Sequence, residues 1–115
     1  MRLLIIGTLG GQIGAASQIA IQRGATVQQA DNIDMALQIQ RSDKSADLIM
    51  ADVSLQMDTL IKALERERMS VPVIACGVGN DTQAAVRAIR AGAKEYLPLP
   101  PDAELIAAVL EAVAE

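Results

Sequence analysis

The sequence predicts an α/β domain, a (βα)5 chain that wraps helices on both faces of a five-stranded parallel sheet in the order 2-1-3-4-5. Three observations carry this expectation. Short apolar runs alternate with longer stretches of helical spacing along all 115 residues, as successive βα units require. Three of those runs are almost continuously hydrophobic, which marks strands covered on both sides. The length suits one core with no second folded domain, and right-handed crossovers make the doubly wound order the most economical arrangement.

The first strand is RLLIIG, Arg2 to Gly7, and the helix after it stops before Gly24. ATVQQA, Ala25 to Ala30, is a weaker second strand, followed by a helix for which Asn32 is the candidate cap. DLIMAD, Asp47 to Asp52, is the third strand; Ser54 is the candidate cap of the next helix, whose inner face is Leu60, Ile61 and Leu64. VPVIAC, Val71 to Cys76, is the fourth. Asn80 or Asp81 then opens a helix that Gly92 closes. KEYLPL, Lys94 to Leu99, is the fifth strand, and Pro101-Asp102 starts a last helix with Leu105, Ile106, Val109, Leu110 and Val113 inward. The first, third and fourth strands should be central and the second and fifth should be edges. Ligands of such sheets bind at the carboxyl ends of the central strands. That rim comprises Gly7, Thr8 and Leu9, then Asp52 and Val53, then Gly77, Val78 and Gly79.

Composition removes several classes of chemistry. The chain is 51% apolar and 21% charged, as in folded globular domains. It has no His, which excludes Ser-His-Asp and Cys-His catalysis and nearly all zinc sites. A single Cys, Cys76, has no intrachain partner, which favours a cytoplasmic location. Cys76 lies in an apolar strand, where an inert buried thiol is the expectation and redox sensing a remote alternative. A net charge of −4, and Tyr96 as the sole aromatic, argue against direct nucleic-acid binding. Leu3 to Gln22 is uncharged, but four Gly, three Gln and a Ser interrupt it, so neither a membrane span nor a secretory leader is expected.

The glycines of GTLGGQIG raise the question of a nucleotide-binding half-domain, with Asp31 where a ribose-binding acid would sit. Their spacing fails. A G-x-G-x-x-G match would need glycine at Leu9, or at both Leu9 and Gln12. The alternative is that these glycines let the first helix start close to the sheet.

Three strings, ADLIMADV, VPVIACG and AVRAIRAGAKEYLPLPPD, at these separations resemble a response-regulator receiver domain of the CheY type. The TLGGQ and PLPPDAELIAAVL segments resemble the amino-terminal receiver-like domain of FlbD-type flagellar regulators, which are sigma-54-dependent activators. The resemblance makes residues 1–115 a single domain at the amino terminus of a longer regulator, with attached ATPase and DNA-binding modules. It implies that Asp52 occupies the phosphoacceptor position, that Tyr96 is the aromatic switch, and that the Leu99-Pro100 bond is cis.

In receivers of this family, two carboxylates after the first strand hold Mg²⁺, while a hydroxyl after the fourth strand and a Lys after the fifth bind the phosphoryl group. The matching positions here are Gly7 and Thr8, Gly77, and Leu99. A dianionic group cannot approach a carboxylate without cations to neutralise it. The resulting expectation is a non-enzymatic pseudo-receiver with no metal or other cofactor. Asp52 then accepts local hydrogen bonds or caps a turn before the third helix. Phosphorylation of Asp52 in two-component signalling is the alternative.

For Tyr96, two readings stand: a half-buried residue with an exposed hydroxyl, or part of a protein-binding surface. The face built from the fourth helix, fifth strand and fifth helix carries Arg87, Arg90, Lys94, Glu95, Glu104 and Glu111. These suit a homodimer in which Arg meets Glu, or are ordinary solvated charges. The expected partner is a protein reporting flagellar assembly. IAAVLEAVAE would couple the domain to the attached modules.

Overall fold

In the computed structural model, residues 1–78, 82–100 and 102–114 are described. The strands are β1 (Arg2–Ile6), β2 (Thr26–Ala30), β3 (Leu48–Asp52), β4 (Val73–Val78) and β5 (Glu95–Leu99). They alternate with α1 (Ile13–Gln22), α2 (Ile33–Arg41), α3 (Met57–Arg66), α4 (Thr82–Ala91) and α5 (Ala103–Ala114), and a 3-10 turn at Leu9–Gly11 precedes α1. All pairings are parallel and the sheet order is 2-1-3-4-5, with β2 and β5 at the edges as expected. Among the described residues, no helix is long and apolar enough to cross a membrane.

Strand alternation sends successive side chains to opposite faces, so two cores form. On one side Leu4, Ile6, Ile49, Ala51, Val73 and Ala75 meet α2, α3 and α4, including Leu60, Ile61 and Leu64 of α3. On the other, Leu3, Ile5, Leu48, Met50, Ile74, Cys76, Leu97 and Leu99 meet α1 and α5 through Ala16, Ala20, Ile106 and Leu110. The small Ala residues on α1 let that helix lie near the sheet. The loop between α2 and β3 is fixed by the buried Gln40 amide. Its Oε1 accepts from the Ala46 amide at 2.6 Å, and its Nε2 donates to the Ala46 carbonyl at 3.3 Å.

Several boundaries match the sequence and others move. Asn32 caps α2, its Oδ1 accepting from the Met35 amide at 2.8 Å. Gly24 and Gly92 come after α1 and α4 with φ of 91° and 120°. Asp102 caps α5, accepting from the amides of Glu104 and Leu105 at 2.8 and 3.3 Å.

Ser54 is not a cap. Asp52 Oδ1 accepts from the Ser54 amide at 2.9 Å, and the Asp52 carbonyl accepts from Leu55 at 3.0 Å. This turn delays α3 until Met57, with Gln56 at the cap position. β4 starts at Val73 rather than Val71, because Pro72 has no N–H to donate to a ladder. It runs on through Val78, which makes Gly77 a strand residue rather than a loop residue. Leu105, expected inward, is 44% exposed. Gly79, Asn80, Asp81 and Pro101, and the side chain of Val113, lie outside the described residues.

Candidate functional site

At the carboxyl end of the sheet, Asp52 terminates β3 and stands between β1 and β4. In register, Ala51 pairs with Ile6 and Asp52 with Cys76, so Gly7 is the next residue beside Asp52 on the β1 side. Gly7 donates its amide to the Ala30 carbonyl at 2.8 Å and takes a φ of +86°. A Cβ on Gly7 would lie 3.1 Å from Asp52 Cβ and 3.8 Å from Asp52 Oδ2. This position therefore presents backbone to the aspartate at close range, in a conformation that side chains disfavour. Thr8 is exposed.

Leu9 is the residue that sequence reasoning placed on the rim without seeing its role. It takes a φ of 52° yet is fully buried in the α1/α5 core, the same cluster that holds Cys76 and Leu99. Left-handed backbone at a leucine costs about 1–2 kcal/mol, which full burial of the side chain, about 1.5–3 kcal/mol, offsets. A hydrophobic side chain next to a glycine-rich turn was the available signal. Leu99 is 4% exposed, and the Leu99-Pro100 bond is cis as expected. The positions that the resemblance assigns to acids and to a lysine thus present backbone, an exposed hydroxyl and a buried leucine.

This donor set does not fit Mg²⁺. A hard dication takes several oxygen ligands, and of Gly7, Thr8, Asp52, Gly77 and Leu99 one carries a carboxylate. Among the described residues, no group of three or more Cys, Asp and Glu side chains is placed to hold a metal. The Cys76 thiol next to Asp52 is buried and its pKa is pushed up to about 12, first by desolvation and then by the Asp52 charge. A thiol so poised is a poor nucleophile.

Gly77 and Tyr96 meet on the opposite face. Ala75 pairs with Tyr96 and Gly77 with Pro98, so the tyrosine side chain reaches diagonally along β4. The Tyr96 hydroxyl is buried, not exposed, because glycine at 77 leaves room for it. Its ring packs against the α2–α4 core.

Apart from Tyr96, the candidate interface residues are at the surface. Arg87 and Arg90 on α4, Lys94 and Glu95 leading into β5, and Glu104 and Glu111 on α5 are exposed. Since β5 is an edge strand, α4 and α5 flank it on its two faces. Sequence reasoning missed two apolar members of this side, Val86 and Ile89, which are 42% and 46% exposed. The signal was helical spacing, since Ala84 and Ala88 form the buried stripe of α4 and leave Val86 and Ile89 off it.

Comparison with known proteins places these features in a family. The profile of the response regulator receiver domain matches residues 11–111. The transcriptional regulatory protein FlbD of Caulobacter vibrioides is 51% identical over 115 residues, which is all of this chain and 25% of that protein. The chain therefore spans about a quarter of the length of that curated relative. Among solved structures, a two-component response regulator from Clostridium difficile superposes with a TM-score of 0.82 at 24% identity, covering 99% of this chain and 95% of that one. The receiver domain of NtrX from Brucella abortus superposes with a TM-score of 0.82 at 22% identity, covering 96% of each chain. At these identities the solved structures speak for the fold alone.

Proposed function

The chain belongs to the response regulator receiver domain family, and from that premise we propose that it is a non-catalytic regulatory domain working by protein contact rather than by conventional aspartyl phosphorylation. The observation that carries this reading is the surroundings of Asp52. Gly7 offers it backbone, Thr8 an exposed hydroxyl, and Leu99 is buried in hydrocarbon where metal- and phosphoryl-binding groups would be needed. Phosphoryl transfer depends almost entirely on cations that position and neutralise the moving group. Asp52 instead braces the turn into α3 through Ser54.

The similarity to FlbD supports a role as the regulatory part of a longer, sigma-54-dependent flagellar activator with ATPase and DNA-binding modules. Its input would be a protein that reports the state of flagellar assembly, and its setting the cytoplasm. The surface we assign to that partner, or to a second copy of the domain, is the α4–β5–α5 side. Arg87 and Arg90 there border exposed Val86 and Ile89, with Glu104 and Glu111 across the edge strand on α5. Tyr96 turns inward and the net charge is −4, so nothing here favours nucleic acid as the direct ligand.

The test is incubation of the purified chain with acetyl phosphate, or with beryllofluoride, in the presence of Mg²⁺. No mass gain and no Mg²⁺-dependent spectral change near Asp52 are expected. A stoichiometric phosphate adduct on Asp52 would overturn the proposal in favour of a phosphoacceptor. Arg90→Glu should separately weaken capture of the partner protein, and unchanged capture would remove α4 from the assigned surface.

A further inference from the structure

We propose that the outer edge of β2 is a docking surface for a second copy of this chain, which adds its own β2 antiparallel to the first about a two-fold axis at Gln28. The hydrogen-bond phase of the strand opens that edge. Thr26 donates its amide to the Met1 carbonyl at 2.8 Å, and the Ala30 carbonyl accepts from the Gly7 amide at 2.8 Å. In a parallel ladder every second residue turns both backbone groups toward a given neighbour, so Thr26, Gln28 and Ala30 face β1 while Val27 and Gln29 face outward. At either end of this window the outward amides are already used. Ala25 donates to the Ala20 carbonyl at 3.0 Å, and Asp31 to Met35 Sδ at 3.3 Å. The N–H and C=O groups of Val27 and Gln29 remain for another strand.

These groups are complementary to themselves. Opposed residues of an antiparallel pair can exchange both N–H···O bonds. Val27 of each copy opposite Gln29 of the other satisfies the whole window on both chains and sets Gln28 against Gln28. A shift by two residues would oppose Gln29 to Ala25 or Val27 to Asp31, whose amides are taken. Charge favours the same register. TVQQA is uncharged, so two chains of net charge −4 can join here without like charges opposed. Arg23 precedes the strand and Asp31 follows it; both are exposed, and among the described residues Arg23 makes no ion pair. Asp31 is held at the strand end by Gln29 Nε2, which donates to it at 3.2 Å. Antiparallel pairing puts Asp31 of each copy opposite Ala25 of the other, a diagonal step from Arg23 and within reach of a long side chain. The β5 edge carries Glu95 and Pro98 after Lys94, the charge and proline that blunt sheet edges. Association therefore closes at two copies, with two five-stranded sheets joined into one. This goes beyond the proposed function, whose α4–β5–α5 surface lies at the other edge of the sheet and stays open to the partner protein. A contact this short makes a weak, concentration-dependent dimer.

Sedimentation equilibrium of the purified chain, from micromolar to millimolar concentration, tests the proposal, with far-ultraviolet circular dichroism as the check on folding. The wild type should show a reversible monomer–dimer equilibrium. Gln28→Lys sets two ammonium groups against each other on the axis and should raise the dissociation constant several-fold. Arg23→Asp should do likewise, and adding Asp31→Arg to it should restore wild-type association. Should Gln28→Lys fail to fold, the charge swap decides the matter. A monomer at every concentration, open-ended oligomers, or a swap that restores nothing would overturn the proposal. A dimer kept in folded Gln28→Lys but lost in Arg90→Glu would overturn it too, and would put the contact on α4.

Discussion

Replacing Gly7 with Asp would return one of the carboxylates that receiver chemistry uses, yet the structure predicts damage rather than repair. Two effects add. Gly7 sits at φ +86°, where a side chain costs about 1–3 kcal/mol in backbone strain. Its new Cβ would also press on Asp52 Cβ at 3.1 Å and lie 3.8 Å from Asp52 Oδ2, which sets two carboxylates side by side. At a separation of about 5 Å their repulsion is about 1–3 kcal/mol for effective dielectric constants between those of water and a protein surface. Together the loss is about 2–6 kcal/mol, a large share of the ~5–15 kcal/mol that holds an ordinary domain together.

Thermal unfolding followed by circular dichroism measures it, with Gly7→Asn as the control that keeps shape and strain but removes charge. The gap between Asp and Asn isolates the repulsion, and it should close at acid pH as the carboxylate pair takes up a proton. Magnesium should not rescue the variant, because Thr8 supplies no third carboxylate to complete the ligand set. If Mg²⁺ bound with millimolar affinity, about 10 mM of it would add roughly 1.4 kcal/mol, an increase that should be absent. A Gly7→Asp chain as stable as the wild type, or one whose melting temperature climbs with Mg²⁺, would refute the reasoning.

Two further outcomes rest on the same geometry. Asp52→Ala removes the acceptor for the Ser54 amide and should cost at least about 1 kcal/mol, or roughly 4 °C in melting temperature; Asp52→Asn keeps an oxygen there and should lie close to the wild type. Equal losses for Ala and Asn would show that charge, not the turn, is what Asp52 supplies. Cys76, its thiol raised to about 12 by burial, should resist iodoacetamide at mildly alkaline pH in the folded chain and react only after denaturation. Rapid, complete alkylation of the folded domain would contradict the packing described for β4.

The sheet and its order were legible because central strands must be apolar on both faces, a pattern that RLLII, LIMAD and the Val73–Cys76 stretch all display. Caps built from local hydrogen bonds, such as Asn32 and Asp102, were legible for a similar reason, since the signal lies within three residues. Ser54 misled because its amide was already committed to Asp52, a preference set by the end of β3 and not by the next helix. Leu9 was read as a rim residue because an apolar side chain beside glycines does not by itself say which way the turn points it; the α1/α5 core claims its side chain. The buried Tyr96 hydroxyl was equally hidden. It depends on Gly77 facing it from another strand, and only the β4–β5 register brings the two together.

On the proposed reading, the changes around Asp52 are also coupled through packing. Leu9 and Leu99 share one apolar cluster with Cys76, so a lysine at 99 or an acid in the Leu9 turn would put charge into, or against, a dry core. Gly7 depends on the same turn, since its positive φ precedes the bend that sends Leu9 inward. On this face, then, each change makes reversal of the others more costly, and no single substitution leads back. Gly77 and Tyr96 lie on the opposite face, where the tyrosine hydroxyl and Val53 take up the space beside the glycine. The surroundings of Asp52 and the packing beneath α4 and β5 are therefore set by different residues on opposite sides of the sheet. If output depends on contact, as proposed, the second can be retained after the first has been replaced by packing.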